Sequence, residues 1–327
     1  MMSLLFISFL SKSEALSESE ALRWDLFFQP LPIFFLVATL GLTAFIWFIW
    51  NKGGQRPLIP GPKALGASSK TLKEFYALVP AILGTHVGLA LLFNGINGRL
   101  LAFNNLLQEP WSNWIGLAEI GIALSLFYGG LARFGASLLA CIWLLGFDLI
   151  GLKPMLEGIQ YFGFACFFYL AGRGPYAIDR LLFPVLEPTP TYMKYALFFL
   201  RISIGLNFIV FGFTQKLANI PFALSLIEAH RFLNFINLPN EIFVLFAGSF
   251  EVLVGLLIAF GIFFRLTIIL ALLALNASLT ITSWAELMDY LPLYGALAVL
   301  LVWEPTRDNR ILWTKGLIHQ EEGAPKK

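Results

Sequence analysis

The sequence predicts an all-α integral membrane protein, and three observations predict it. The chain of 327 residues is 58% hydrophobic and only 13% charged, with a mean hydropathy of +0.77, a balance that a water-soluble globule of this size would not tolerate. Its apolar residues fall into nine runs near the length a bilayer demands. Its Lys and Arg are biased to alternate connections between those runs. A net charge of +2, spread along the chain, points to no nucleic-acid partner. Cys141 and Cys166 each lie inside an apolar run and form no CxxC, so they read as small packing residues.

Taken in order, the opening MMSLLFISFLSKSEA has no basic n-region and only a short apolar stretch, so it resembles a cleaved signal only weakly. LPIFFLVATLGLTAFIWFIW, residues 31–50, has no charge in twenty positions and covers ~30 Å of hydrocarbon at ~1.5 Å per residue. NKGGQRPLIPGPKALGASSK follows, rich in Gly, Pro and Lys, and reads as a flexible linker. Further helical runs fall at 75–96, 112–128, 131–150, 157–172, 195–216, 241–260, 262–282 and 287–303. With the N-terminus outside, fifteen Lys and Arg lie on the cytoplasmic side and six on the other, so the bias favours a cytoplasmic C-terminus.

The chain also contains a repeat. NWIGLAEIGIALSLFYGGLARFGASLL (113–139) aligns with LFAGSFEVLVGLLIAFGIFFRLTIIL (245–270) at an offset of 132, placing Glu119 on Glu251, Gly129 on Gly261 and Arg133 on Arg265. The same offset carries Gly163 onto Gly295. Upstream, GLALLFNGINGRLL (88–101) aligns with GLNFIVFGFTQKLA (205–218) at an offset of 117, placing Gly95 on Gly212 and Arg99 on Lys216. The chain thus divides into 1–74, with the first span and linker; a four-helix unit at 75–190; a second at 191–310; and a tail, 311–327. Four helices is an even number, so both units enter from the same side and run parallel, which argues against an inverted-repeat transporter plan. The fifteen extra residues of the second copy lie within 217–240, which reads as an amphipathic helix on the outer membrane surface.

NGINGRL with EIGIALSLFYGGLAR, FGFTQKL with EVLVGLLIAFGIFFR, and the closing GRGPYAIDR resemble the DoxX/DoxD family of four-helix membrane units, over about 75–310. The pattern is Gly then Lys or Arg after the first helix, a Glu in the second, and Gly-x-x-x-Arg into the third. The resemblance implies a membrane subunit of a quinone-linked or thiol/sulfur redox system in a cell (inner) membrane, with thiosulfate:quinone oxidoreductase among the relatives; others are chaperones and cargo receptors. The doubled unit departs from the family's usual single one.

An ionisable group facing lipid costs at least about 2.5 kcal/mol, so those within spans are expected to face the bundle and have partners. Glu119 with Arg99, and Glu251 with Lys216, are the simplest such pairs. As glue they would lock helices. As chemistry they would line a cavity with His86, Asn94 and Asp148 in the first copy and Asn207, Gln215 and Asn276 in the second, where a protonatable group and an amide bind a quinone carbonyl. Ser203 and Thr280 stand where the first copy has His86 and Asp148, which favours the first copy. Arg201 is expected to snorkel, and Arg133 and Arg265 are explained by topology. Three scattered histidines, His86, His230 and His319, argue against a bis-His haem, and no metal or nucleotide motif stands out, so any redox cofactor other than a quinone would sit on a partner. The rival reading is a non-catalytic assembly subunit of a larger complex, joined through the first span or the outer insert to other membrane or periplasmic subunits. A small-solute transporter comes third.

Overall fold

A computed structural model of the chain describes residues 22–174, 177–182, 190–230, 239–279 and 284–302. The calls on the first 21 residues, His319, Thr280 and the tail fall outside these, as does the side chain of His230. Helices occupy all nine predicted runs: α1 (Pro30–Lys52), α2 (Ser69–Ile96), α3 (Trp111–Tyr128), α4 (Ala132–Leu149), a short α5 (Leu152–Glu157), α6 (Ile159–Ala171), α7 (Pro190–Phe211), α8 (Ile220–His230), α9 (Asn240–Phe260), α10 (Phe264–Ser278) and α11 (Trp284–Val302). Five described helices are long and apolar enough to cross a membrane, and three shorter ones are apolar. The protein is therefore all-α and of multi-pass membrane type.

Local chemistry sets the helix ends. Pro30 opens α1, where its fixed φ suits the first turn and its missing N–H is not needed. The Ser68 hydroxyl accepts the Thr71 N–H at 3.1 Å to cap α2. Both α3 and α9 end in a left-handed glycine, Gly129 at φ 69° and Gly261 at φ 72°, and both following helices are entered through a left-handed residue, Leu131 at φ 55° and Phe263 at φ 42°. Each of these two pairs is separated by the offset of 132. The Asp179 carboxylate receives the first N–H groups at the α4 start, from Leu131 and Ala132. Arg133 and Arg265 do more than topology requires: each donates its Nε to a carbonyl at the end of a later helix, Tyr169 and Leu301, at 3.2 Å.

Packing interlocks the two predicted units. Within each, the first helix lies against the second, α2 on α3 and α7 on α9. The last helix of each unit instead packs mainly on the first helix of the other, α6 on α7 and α11 on α2. Glycines mark these crossings. A Cβ at Gly95 would lie 2.7 Å from the Gly116 carbonyl, and one at Gly212 would lie 2.6 Å from the Gly248 carbonyl, so backbone runs against backbone in both units. Gly163 faces the Ser203 side chain and Gly295 faces His86, again positions related by 132 and 117. The result is one continuous core, with Leu83, Leu91, Phe164, Phe167, Leu200, Ile258 and Leu297 fully buried or nearly so. α1 lies against α9, outside that core. The helix α8 does not simply lie on the surface: Ile220 and Ala223 pack into a second cluster with Leu217, Val244, Leu245 and Val252.

Candidate functional site: a polar centre at one end of the bundle

The connection from α2 to α3 folds back into the bundle. Arg99 and Leu106 form an isolated antiparallel bridge, Gly98 and Leu101 take left-handed φ of 65° and 61°, and Leu100, Leu101 and Leu107 are buried. That geometry turns two N–H groups toward carboxylates on two different helices. Leu101 N–H donates to Glu119 Oε1 at 2.9 Å, and Phe103 N–H donates to Asp289 Oδ2 at 2.6 Å. Asn94, at the end of α2, donates its Nδ2 to Asp289 Oδ1 at 3.3 Å. Tyr161, on α6, is buried in the same core cluster as Leu100 and Leu101 of that loop. A loop, α2, α3, α6 and α11 thus converge, drawn from both predicted units.

Glu119 and Asn94 are fully buried and Tyr161 is 1% exposed. In each, one oxygen has no hydrogen-bond partner: Glu119 Oε2, Asn94 Oδ1 and Tyr161 OH. Buried polar atoms are nearly always satisfied, so three in one core mark a polar centre whose hydrogen-bonding capacity is not used up within the described residues.

The expected pairing of Glu119 with Arg99 does not form. Arg99 stacks its guanidinium on the Phe103 ring, 3.8 Å from the centroid, and Glu119 takes the Leu101 N–H instead. The turn at Leu101 presents a buried donor that needs an acceptor. The expected pair in the second copy does form. Lys216 Nζ lies 2.7 Å from both oxygens of Glu251. A π-helical segment, Gly212–Leu217, continues α7 and carries Lys216. Gly248 leaves room for its stem, since a Cβ there would lie 2.8 Å from Lys216 Cβ.

The other candidates are placed as follows. Asn207 is buried, donating its Nδ2 to the Glu157 carbonyl at 2.7 Å and to Gln160 Oε1. Thr214 donates to Glu157 Oε1 at 2.6 Å. His86 bonds its own helix, Nδ1 to the Ile82 carbonyl at 2.8 Å, and packs on α11. Asp148 is exposed, and so is Asn276, which bonds back to the Leu272 carbonyl. Gln215 is half-buried and joins neither centre. The structure therefore gathers Glu119 and Asn94, and separately Glu251 and Lys216. It leaves His86, Asp148 and Asn276 apart.

Sequence reasoning missed Asp289, Tyr161 and Glu157. Asp289 carried a signal, as a carboxylate just inside a predicted span. It also stands 132 residues after Glu157, and each of the two reaches the opposite unit's polar residues. Tyr161 carried none, since a tyrosine in an aromatic run has no distinguishing spacing.

Neither a family model, nor a curated protein, nor a solved structure matches this chain.

Proposed function

We propose that this protein is the membrane subunit of a quinone-linked or thiol/sulfur redox system, built as a tandem of two parallel DoxX-like four-helix units behind an N-terminal span. It has nine spans, the N-terminus outside and the C-terminus in the cytoplasm of a cell whose inner membrane holds it. The duplication is supported by contacts that recur at the two repeat offsets, above all the Gly–Gly crossings and the paired arginine-to-carbonyl bonds. The observation that carries the functional reading is the trio of unpartnered buried oxygens on Glu119, Asn94 and Tyr161. Tyr161 OH is a donor for a quinone carbonyl. Glu119 and Asn94 are acceptors for the hydroxyls of its reduced form, so the same three groups serve both states and Glu119 can exchange the proton. Electrons enter or leave through a cofactor on a partner subunit.

The second reading, an assembly subunit without chemistry, is favoured by the closed pair of Lys216 and Glu251, which leaves neither carboxylate oxygen free. Purification of the full chain in mild detergent, with identification of co-purifying lipids and proteins, separates the two. A bound quinone and a redox partner are expected. Partner proteins without redox cofactors, and no quinone in the lipid extract, would leave the assembly reading standing.

A further inference from the structure

The connection between α1 and α2 joins two helices long and apolar enough to cross a membrane, so it runs along one membrane surface. From residue 51 to residue 73 it has five Lys and Arg and no Asp or Glu. Lys52, Arg56, Lys63 and Lys70 are exposed, and none of the four pairs with a carboxylate among the described residues. Leu58 and Leu65 stand among these cations, 61% and 72% exposed. The backbone that carries them is pinned. Arg265, at the start of α10, donates Nη1 to the Ile59 carbonyl at 3.3 Å, and Gly61 is buried. Just beyond, Leu65 N–H donates to the Gly61 carbonyl at 3.0 Å and Ala67 N–H to the Pro62 carbonyl at 2.9 Å. The two leucines flank the pinned stretch, and the fold holds both of them out.

We infer that this connection is a binding surface for anionic phospholipid headgroups in the leaflet it borders. Lys and Arg beside a span attract headgroup phosphates, and apolar side chains set among them enter the boundary between headgroups and acyl chains. Membrane topology asks for basic residues on one side. It asks neither for leucines held outward nor for a pinned backbone between them. The chain's own tail does not complement the surface, because residues 303–327 carry five Lys and Arg against four Asp and Glu. The inference depends neither on ligand binding at Glu119 nor on which side the N-terminus lies.

The test uses the full chain in nanodiscs, which leave both membrane faces open, with Cys141→Ser and Cys166→Ala and a dye on Ala64→Cys, an exposed position beside Lys63. Spin-labelled phosphatidylglycerol or spin-labelled phosphatidylcholine is titrated in as quencher. Half-quenching is expected at a mole fraction about tenfold lower for phosphatidylglycerol. The double variant Arg56→Gln, Lys63→Gln is expected to remove most of that difference, and Leu58→Ser to weaken quenching by both lipids alike. Equal quenching by the two lipids in the parent protein would overturn the inference. So would a difference unmoved by the double variant, with helix content unchanged by circular dichroism. Inorganic phosphate at matched ionic strength is expected to leave the difference intact; its loss would overturn the assignment to lipid, because the site would then take a free anion.

Discussion

Two glycines on the same helix, Gly116 and Gly121, are expected to respond to alanine in opposite directions. A Cβ at Gly116 would stand 2.5 Å from the Gly95 carbonyl oxygen, where ordinary contact begins at 3.4 Å. The α2 and α3 backbones would have to separate by about 0.9 Å, the difference of those distances, and a gap of that size forfeits roughly a quarter to a half of each affected dispersion contact. Overpacking against an atom that cannot turn aside costs about 3 kcal/mol, the upper part of the usual range, and alanine returns about 1 kcal/mol of helix propensity. The net is about 2 kcal/mol of destabilisation, a factor of about 30 in the unfolding equilibrium. Gly121→Ala meets nothing and keeps only the propensity gain, so it is expected to stabilise by up to about 1 kcal/mol. Unfolding in mixed micelles, followed by circular dichroism, reads both. A Gly116→Ala protein as stable as the parent would refute the reasoning that α2 and α3 cross backbone to backbone.

Lys216→Met strips Glu251 of its only basic partner among the described residues and is expected to cost about 3 kcal/mol in the same unfolding measurement. Adding Glu251→Leu should recover most of that loss, because a carboxylate left alone is the expensive state; no recovery would mean that packing rather than charge sets the cost. Asp179→Ala removes the acceptor for the Leu131 and Ala132 N–H groups and is expected to cost about 1 to 2 kcal/mol. A midpoint equal to the parent's would show that water replaces the carboxylate at that turn.

The helices were legible because burial in a bilayer imposes length and apolarity directly on the sequence, so runs such as 31–50 and 241–260 could be placed to within a few residues. The crossings were legible in part, since the repeat offsets single out Gly95 with Gly212 and place Glu119 on Glu251. The interlocking of the units was not. Which helix the last one of each unit packs against depends on surface fit, between neighbours in sequence for α6 and α7 and across most of the described chain for α2 and α11, and no local pattern records it. The same limit explains the site. Lys216 meets Glu251 because a π-helical segment turns it there, whereas Arg99 finds the Phe103 ring and leaves Glu119 to a backbone N–H from a loop whose left-handed turns have no sequence mark beyond Gly98. Asp148 stands apart for a simpler reason: it lies near the end of α4 on an exposed face, where a charge needs no partner.

The most direct test of the central claim is the binding of a short-chain quinone analogue to the detergent-purified full chain, titrated by quenching of its tryptophan fluorescence. Saturable binding is expected for the parent protein and for Glu251→Gln. Glu119→Gln, which keeps the shape of the side chain and an acceptor for Leu101 N–H, is expected to weaken it by about tenfold, the worth of one hydrogen bond. Equal binding by the Glu119→Gln and parent proteins, both folded, would contradict the assignment of the polar centre as the ligand site.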